Sequence, residues 1–153
     1  MKKYIIYLWT LPIDLIIWLI ILIVYLYAGR KLHYNNGLWC ELNVRPKRFA
    51  GITLGHGGLL CKDFSATILH HELIHVEQYE AISLLCCLIA ILTGLFYWSL
   101  YPIIIYLTGF YIAYGASCIV AWLRGEKPYY GNIFEESAYS QVKGDNDGKR
   151  IER

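Results

Sequence analysis

A mainly α-helical membrane protein is the fold class this sequence predicts: three transmembrane helices with a small α+β part on one membrane face. Three observations carry that expectation. First, the 153 residues are 57% hydrophobic and only 17% charged, where a soluble domain carries roughly a quarter charged residues; mean hydropathy is +0.39. Second, three apolar runs approach the ~20 residues that a helix needs to cross the hydrocarbon core. Third, the stretch between the first two runs changes to short, alternating, glycine-punctuated segments. The net charge of +2, with no basic run interleaved with aromatics, gives no sign of a nucleic-acid partner. A lipid bilayer is the partner that composition implies. One membrane-embedded domain, 1–153, is the natural count for this length.

The first run, residues 4–28 (YIIYLWTLPIDLIIWLIILIVYLYA), is broken only by Pro12 and Asp14. Lys2 and Lys3 precede it as they would a signal peptide. Its apolar stretch is too long for one and lacks a small-residue cleavage site, so a retained helix is expected. Thr10-Leu11-Pro12 reads as a helix start, which would leave Asp14 in a first turn near the headgroups rather than as a functional intramembrane carboxylate.

Residues 81–99 (AISLLCCLIAILTGLFYWS) and 102–123 (PIIIYLTGFYIAYGASCIVAWL) carry no charge. Tyr97, Trp98, Tyr101 and Trp122 lie near their ends, where amphipathic rings prefer to sit. The link Ser99-Leu100-Tyr101-Pro102 reads as a tight hairpin. Basic residues then set the orientation. Segment 30–80 holds Arg30, Lys31, Arg45, Lys47, Arg48 and Lys62, and the tail holds Arg124, Lys127, Lys143, Lys149, Arg150 and Arg153. Two crossings between them put both on one face, which the positive-inside tendency makes cytoplasmic. A cell inner membrane with its polar part facing the cytoplasm is the expected setting. Cys40, Cys61, Cys86, Cys87 and Cys118 show no CxxC spacing, which argues for reduced thiols and against both a disulfide framework and a cysteine zinc site.

Between the spans, 38–44 (LWCELNV) and 50–61 (AGITLGHGGLLC) read as two short strands, a possible antiparallel hairpin, separated by Pro46 and its basic neighbours. The glycines of the second segment mark weak points, bulges or close backbone approach. His33 and His56 read as structural or solvated histidines. Asp63 or Ser65 supplies a helix N-cap. The helix that follows meets no Gly or Pro before Gly94, so it runs unbroken into the second span. At about 1.5 Å per residue, His75 then stands about 9 Å before the apolar run at Ala81.

That helix carries His71-Glu72-Leu73-Ile74-His75. Residues four apart share a helix face, so His71 and His75 can ligate one Zn2+ through neutral imidazoles, with Glu72 beside it as a general base. Metal-assisted amide hydrolysis is the matching reaction class. H-E-x-x-H fixes only three positions, and a coincidental polar helix stays open. His70 is off register, and Glu77, Gln78 and Glu80 read most simply as the helix's polar face. A catalytic zinc site wants a third protein ligand. On the same face comes Asn132-Ile133-Phe134-Glu135-Glu136-Ser137-Ala138-Tyr139. Its Glu135 is either that ligand or the last member of a capping box opened by Asn132. Tyr139, one turn on, either packs or stabilises an oxyanion. Tyr129 and Tyr130 read as interface anchors. The third-ligand helix is expected over 128–140, and the polar tail 141–153 as disordered.

The order H-E-x-x-H, membrane hairpin, then E-x-x-A-(D/Y) resembles the membrane gluzincin metallopeptidases of the HtpX and CAAX prenyl protease group. Gly51-Ile52-Thr53-Leu54-Gly55-His56, the motif with Gln78, and Phe134-Glu135-x-x-Ala138-Tyr139 are similar to small minigluzincin-like proteins. The match covers roughly residues 50–80 and 130–140. The resemblance implies a zincin-like α+β part, His71, His75 and Glu135 as zinc ligands, and Glu72 as general base. Glu135 is preferred to Glu136 because Ala138 and Tyr139 follow at the family's offsets. It also implies peptide or protein substrates, bound by pairing with the strand at 50–56. Tyr139 stands where the HtpX group commonly has aspartate, and the chain is shorter than those enzymes. A zinc metallopeptidase is the function so implied. The alternatives are a catalytically silent binding or scaffold protein of the same fold, and a membrane scaffold whose motif is coincidence. Oligomeric state is open.

Overall fold

The computed structural model describes residues 2–43, 50–96 and 101–151. Arg45, Pro46, Lys47 and Arg48, and the interfacial Tyr97 and Trp98 with the Ser99-Leu100 link, lie outside the described residues. The chain divides into two compact units, Met1–Leu84 and Leu85–Arg153. Among the described residues three helices are long and apolar enough to cross a membrane, over Ile5–Ala28, Ala66–Gly94 and Tyr101–Leu123.

In the first unit, helix α1 spans Lys2–Ala28 with Pro12 inside it. Proline removes a backbone donor and strains an interior turn, which is why Thr10-Leu11-Pro12 reads as a helix start; the structure instead carries the helix through Pro12. Thr10, Ile13, Asp14, Ile17 and Ile21 recur at helical spacing and form the buried face. Asp14 is therefore mid-helix and fully buried, not in a first turn at the headgroups. Leu8, Leu15, Leu19 and Leu26 on other faces are exposed, as suits a helix whose outer surface meets lipid.

A four-stranded sheet follows: β1 (Gly29–Tyr34), β2 (Leu38–Leu42), β3 (Gly51–Thr53) and β4 (Gly57–Leu60). The strand order is β1-β2-β4-β3. The expected two-strand antiparallel hairpin is thus corrected in three ways. β1, unforeseen, pairs antiparallel with β2 through the turn at Asn35-Asn36-Gly37, where Asn36 has φ 49°. Segment 50–61 is two strands rather than one. The β2–β4 pairing is parallel, while β3 pairs antiparallel with β4 and forms an edge.

Gly55 explains the break in the second segment. Its φ is +55°, and a Cβ there would stand 2.6 Å from Ile17 Cδ1 and 2.9 Å from Asp14 Oδ1. Only glycine turns this corner against α1 without strain. Gly55→Ala is expected to cost about 2 kcal/mol or more of stability, readable as a lowered denaturation midpoint of the purified protein.

Helix α2 spans Ala66–Phe96 without interruption, as its lack of early Gly and Pro predicts. Ser65 is the cap, its Oγ accepting from Ile68 N at 3.2 Å; Asp63 instead meets Arg30. The first turns of α2 close the core of the first unit, where Leu69, Leu73 and Val76 pack with Trp39, Leu60, Phe64 and Ile68.

In the second unit, α3 spans Tyr101–Leu123 and α4 spans Ile133–Ile151. A Schellman cap ends α3: Gly125, at φ +78°, donates to Trp122 O at 2.9 Å, and Glu126 donates to Ala121 O at 3.0 Å. Phe134 of α4 stacks on Tyr114 (ring centroids 5.7 Å) and meets Phe110 edge-on. The tail expected to be disordered is helical as far as Ile151. Glu135 and Glu136 in the first turn suit the helix dipole, and a nucleated helix extends at little cost per residue, so α4 passes Gly144. All five cysteines are free thiols.

Candidate functional site

The site residues of the first unit sit on α2 and the strand beside it. His71, Glu72 and His75 are all buried. One helical turn separates the imidazoles, and their Nε2 atoms stand 3.2 Å apart with the rings edge to face. Two nitrogens bound at ~2.0–2.1 Å to one tetrahedral ion stand about 3.3–3.4 Å apart. The pair already has the spacing a shared ion requires. Gln78 Oε1 lies 2.8 Å from His75 Nδ1; an amide oxygen only accepts, so this contact suits the tautomer with its proton on Nδ1 and its lone pair on Nε2. Gln78, read from sequence as mere helix surface, therefore orients a candidate ligand. Glu77 is exposed and fits the surface reading.

Glu72 is held by β3. Thr53 Oγ1 lies 2.7 Å from Glu72 Oε2 and 3.0 Å from its carbonyl oxygen. Gly51 passes so close that a Cβ there would stand 2.7 Å from Glu72 Oε1. Sequence reasoning missed Thr53 as a contact of the carboxylate, although the glycines around it announced close backbone approach. β3 is a sheet edge, paired to β4 on one side, and this edge runs alongside Glu72.

His56 and His33 are not in this group. His33 Nε2 lies 3.1 Å from Glu41, which also meets Arg30 at 3.1 Å, a structural role as expected. The H-bonds from His33 and Arg30, with Arg30's charge, outweigh burial and hold the Glu41 carboxyl below its ordinary range. His56 is buried between Asp14 and Glu80, at 2.8 and 2.9 Å. Glu80, like Gln78, is thus more than helix surface.

In the second unit, Asn132 caps α4, its Oδ1 accepting from Phe134 N at 2.9 Å. The Asn132 N–H donates to Tyr129 O at 3.4 Å. Glu135 is 2% exposed and takes a hydrogen bond from the Tyr114 hydroxyl at 2.7 Å. Glu136 is exposed. The Tyr129 phenol also hydrogen-bonds Glu135, and burial together with that carboxylate raises the Tyr129 pKa above its ordinary range. Tyr114, mid-way along an apolar span, gave no sequence signal of its contact with Glu135. Tyr139 is half-exposed and its ring stacks on Tyr130, centroids 6.4 Å apart. No protein-family model, characterised protein or solved structure matches the chain.

Proposed function

We propose that the chain is an integral-membrane, zinc-dependent metallopeptidase that cleaves peptide bonds at the cytoplasmic membrane surface. The observation that carries the reading is the pair of buried Nε2 atoms 3.2 Å apart, with Glu72 beside them on the same helix. In this reading His71, His75 and Glu135 are the metal ligands, a donor set of two imidazoles and a carboxylate that suits zinc. Bound zinc supplies Lewis acidity, which makes water acidic near neutral pH and polarises a carbonyl. Glu72 takes a proton from the attacking water and returns it to the leaving amine, its carboxylate held by Thr53. The β3 edge aligns an extended substrate by strand addition. Tyr139 faces the same choice as before, packing or oxyanion contact, and its stacking on Tyr130 favours packing.

Tyr114 holds Glu135 as an outer-shell partner, the kind whose loss typically costs 10–100-fold in metal affinity. Tyr114→Phe should weaken zinc binding by about that factor, measured by competition with a chelating dye, with thermal stability little changed.

The test of the whole reading is metal analysis of the detergent-purified protein together with a peptide-library digest followed by mass spectrometry. One zinc per chain and discrete cleavage products are expected. A chain that takes up no zinc overturns the proposal. One zinc without any cleavage leaves a catalytically silent binding protein.

A further inference from the structure

His56 uses every polar atom it has. Its N–H donates to Asp14 Oδ1 at 3.1 Å, and its carbonyl accepts from Trp18 Nε1 at 2.8 Å and from Leu38 N at 3.1 Å. Its ring nitrogens face Asp14 Oδ2 at 2.8 Å and Glu80 Oε1 at 2.9 Å. Asp14 belongs to α1, Glu80 to α2, and His56 to the turn joining β3 to β4. Three elements meet at one side chain that is 1% exposed.

We propose that His56 is a positioning residue: gripped by Asp14 and Glu80, it fixes the β3–β4 turn so that Thr53 and Gly51 hold the Glu72 carboxylate in place. This rests on the reading of Glu72 as general base. Only Leu54 and Gly55 stand between Thr53 and His56. Leu54 N–H bonds to Gly57 O at 2.7 Å, and Gly55 is wedged against Ile17 and Asp14. The turn has no slack between the clamp and the strand.

Carboxylates only accept hydrogen bonds, so two of them on opposite ring nitrogens call for an imidazolium that donates to both. The groups facing the ring are Asp14 and Tyr7 from α1, and Glu80 and Tyr79 from α2, with Tyr34 of β1 beyond Tyr7. Burial alone would drive the ring neutral; the hydrogen bonds and charges of Asp14 and Glu80 outweigh it and raise the pKa from 6.5 to about 9. A raised folded pKa means that the clamp contributes fully below the ordinary histidine value and is lost as pH climbs through about 9. A residue that merely packs would show no such step.

The test is hydrogen exchange of the full chain in detergent from pH 6.5 to 10, corrected for intrinsic rates, with zinc content and kcat and KM measured in parallel. In the wild type, protection of 51–60 should fall about tenfold or more as pH passes 9. Glu80→Gln should move that step down by about one pH unit or more. His56→Gln should open 51–60 already at pH 7, leave β1–β2 protected and zinc bound, and lower kcat about tenfold with KM nearly unchanged. Unchanged protection in His56→Gln, the lack of any pH step, or an open segment with undiminished kcat would each overturn the proposal. A wild type without zinc or hydrolysis instead sinks the peptidase reading, and the exchange data then decide whether the clamp exists.

Discussion

Replacing Glu72 by glutamine should lower peptide hydrolysis by about a thousandfold while one zinc stays bound per chain. Glutamine keeps the shape and can still meet the Thr53 hydroxyl, which stands 2.7 Å from Glu72 Oε2. The Gly51 backbone, packed against the other oxygen, sees a group of the same size. What the amide lacks is a basic oxygen to take a proton. Because His71 and His75 are untouched, metal content and the thermal midpoint should match the wild type. Glu72→Ala is the poorer experiment, since it empties the space under β3 and mixes a lost base with a shifted strand. The measurement is initial rate on a peptide identified by the library digest, with zinc quantified in the same sample. A glutamine variant within tenfold of wild type would remove Glu72 from the proton-transfer role. The His71–His75 pair would then be read as a binding site alone.

What the sequence made legible follows from how locally each feature is determined. The course of α2 was readable because one run without Gly or Pro carries the cap at Ser65, the two histidines and the apolar stretch. The three spans were readable from composition, since lipid selects side chains with little regard to partner. The sheet was read less well. Asn35-Asn36-Gly37 is a turn signal, but β1 before it is polar and mostly exposed, so no apolar alternation marks it as a strand. The parallel pairing of β2 with β4 is set by where β3 goes, and no local pattern encodes that. Asp14 was the clearest miss. Its partners are 42 and 65 residues away, at His56 and Tyr79. A lone carboxylate in an apolar run carries no mark of whether a cation waits for it. Tyr114 was hidden for the same reason, 21 residues from the carboxylate it serves.

Glu135 should prove as indispensable to the metal as Glu72 is to the chemistry. Glu135→Gln is expected to weaken zinc binding by about a hundredfold or more, because removing a charged ligand costs more than the 10–100-fold typical of an outer-shell partner. Glu136→Gln should change nothing measurable. The two positions are neighbours in the first turn of α4 and share its dipole, so their difference isolates ligation from helix electrostatics. Burial separates them: Glu135 is 2% exposed and Glu136 is at the surface. Asn132 supplies a cap of its own, its Oδ1 accepting from Phe134 N at 2.9 Å. The α4 helix should therefore survive Glu135→Gln, and circular dichroism should show it. Equal zinc affinity in the two variants would mean that the third ligand is another group. Tyr114→Phe then becomes the deciding companion, because a phenol that merely pairs with a structural carboxylate has no reason to move a zinc constant.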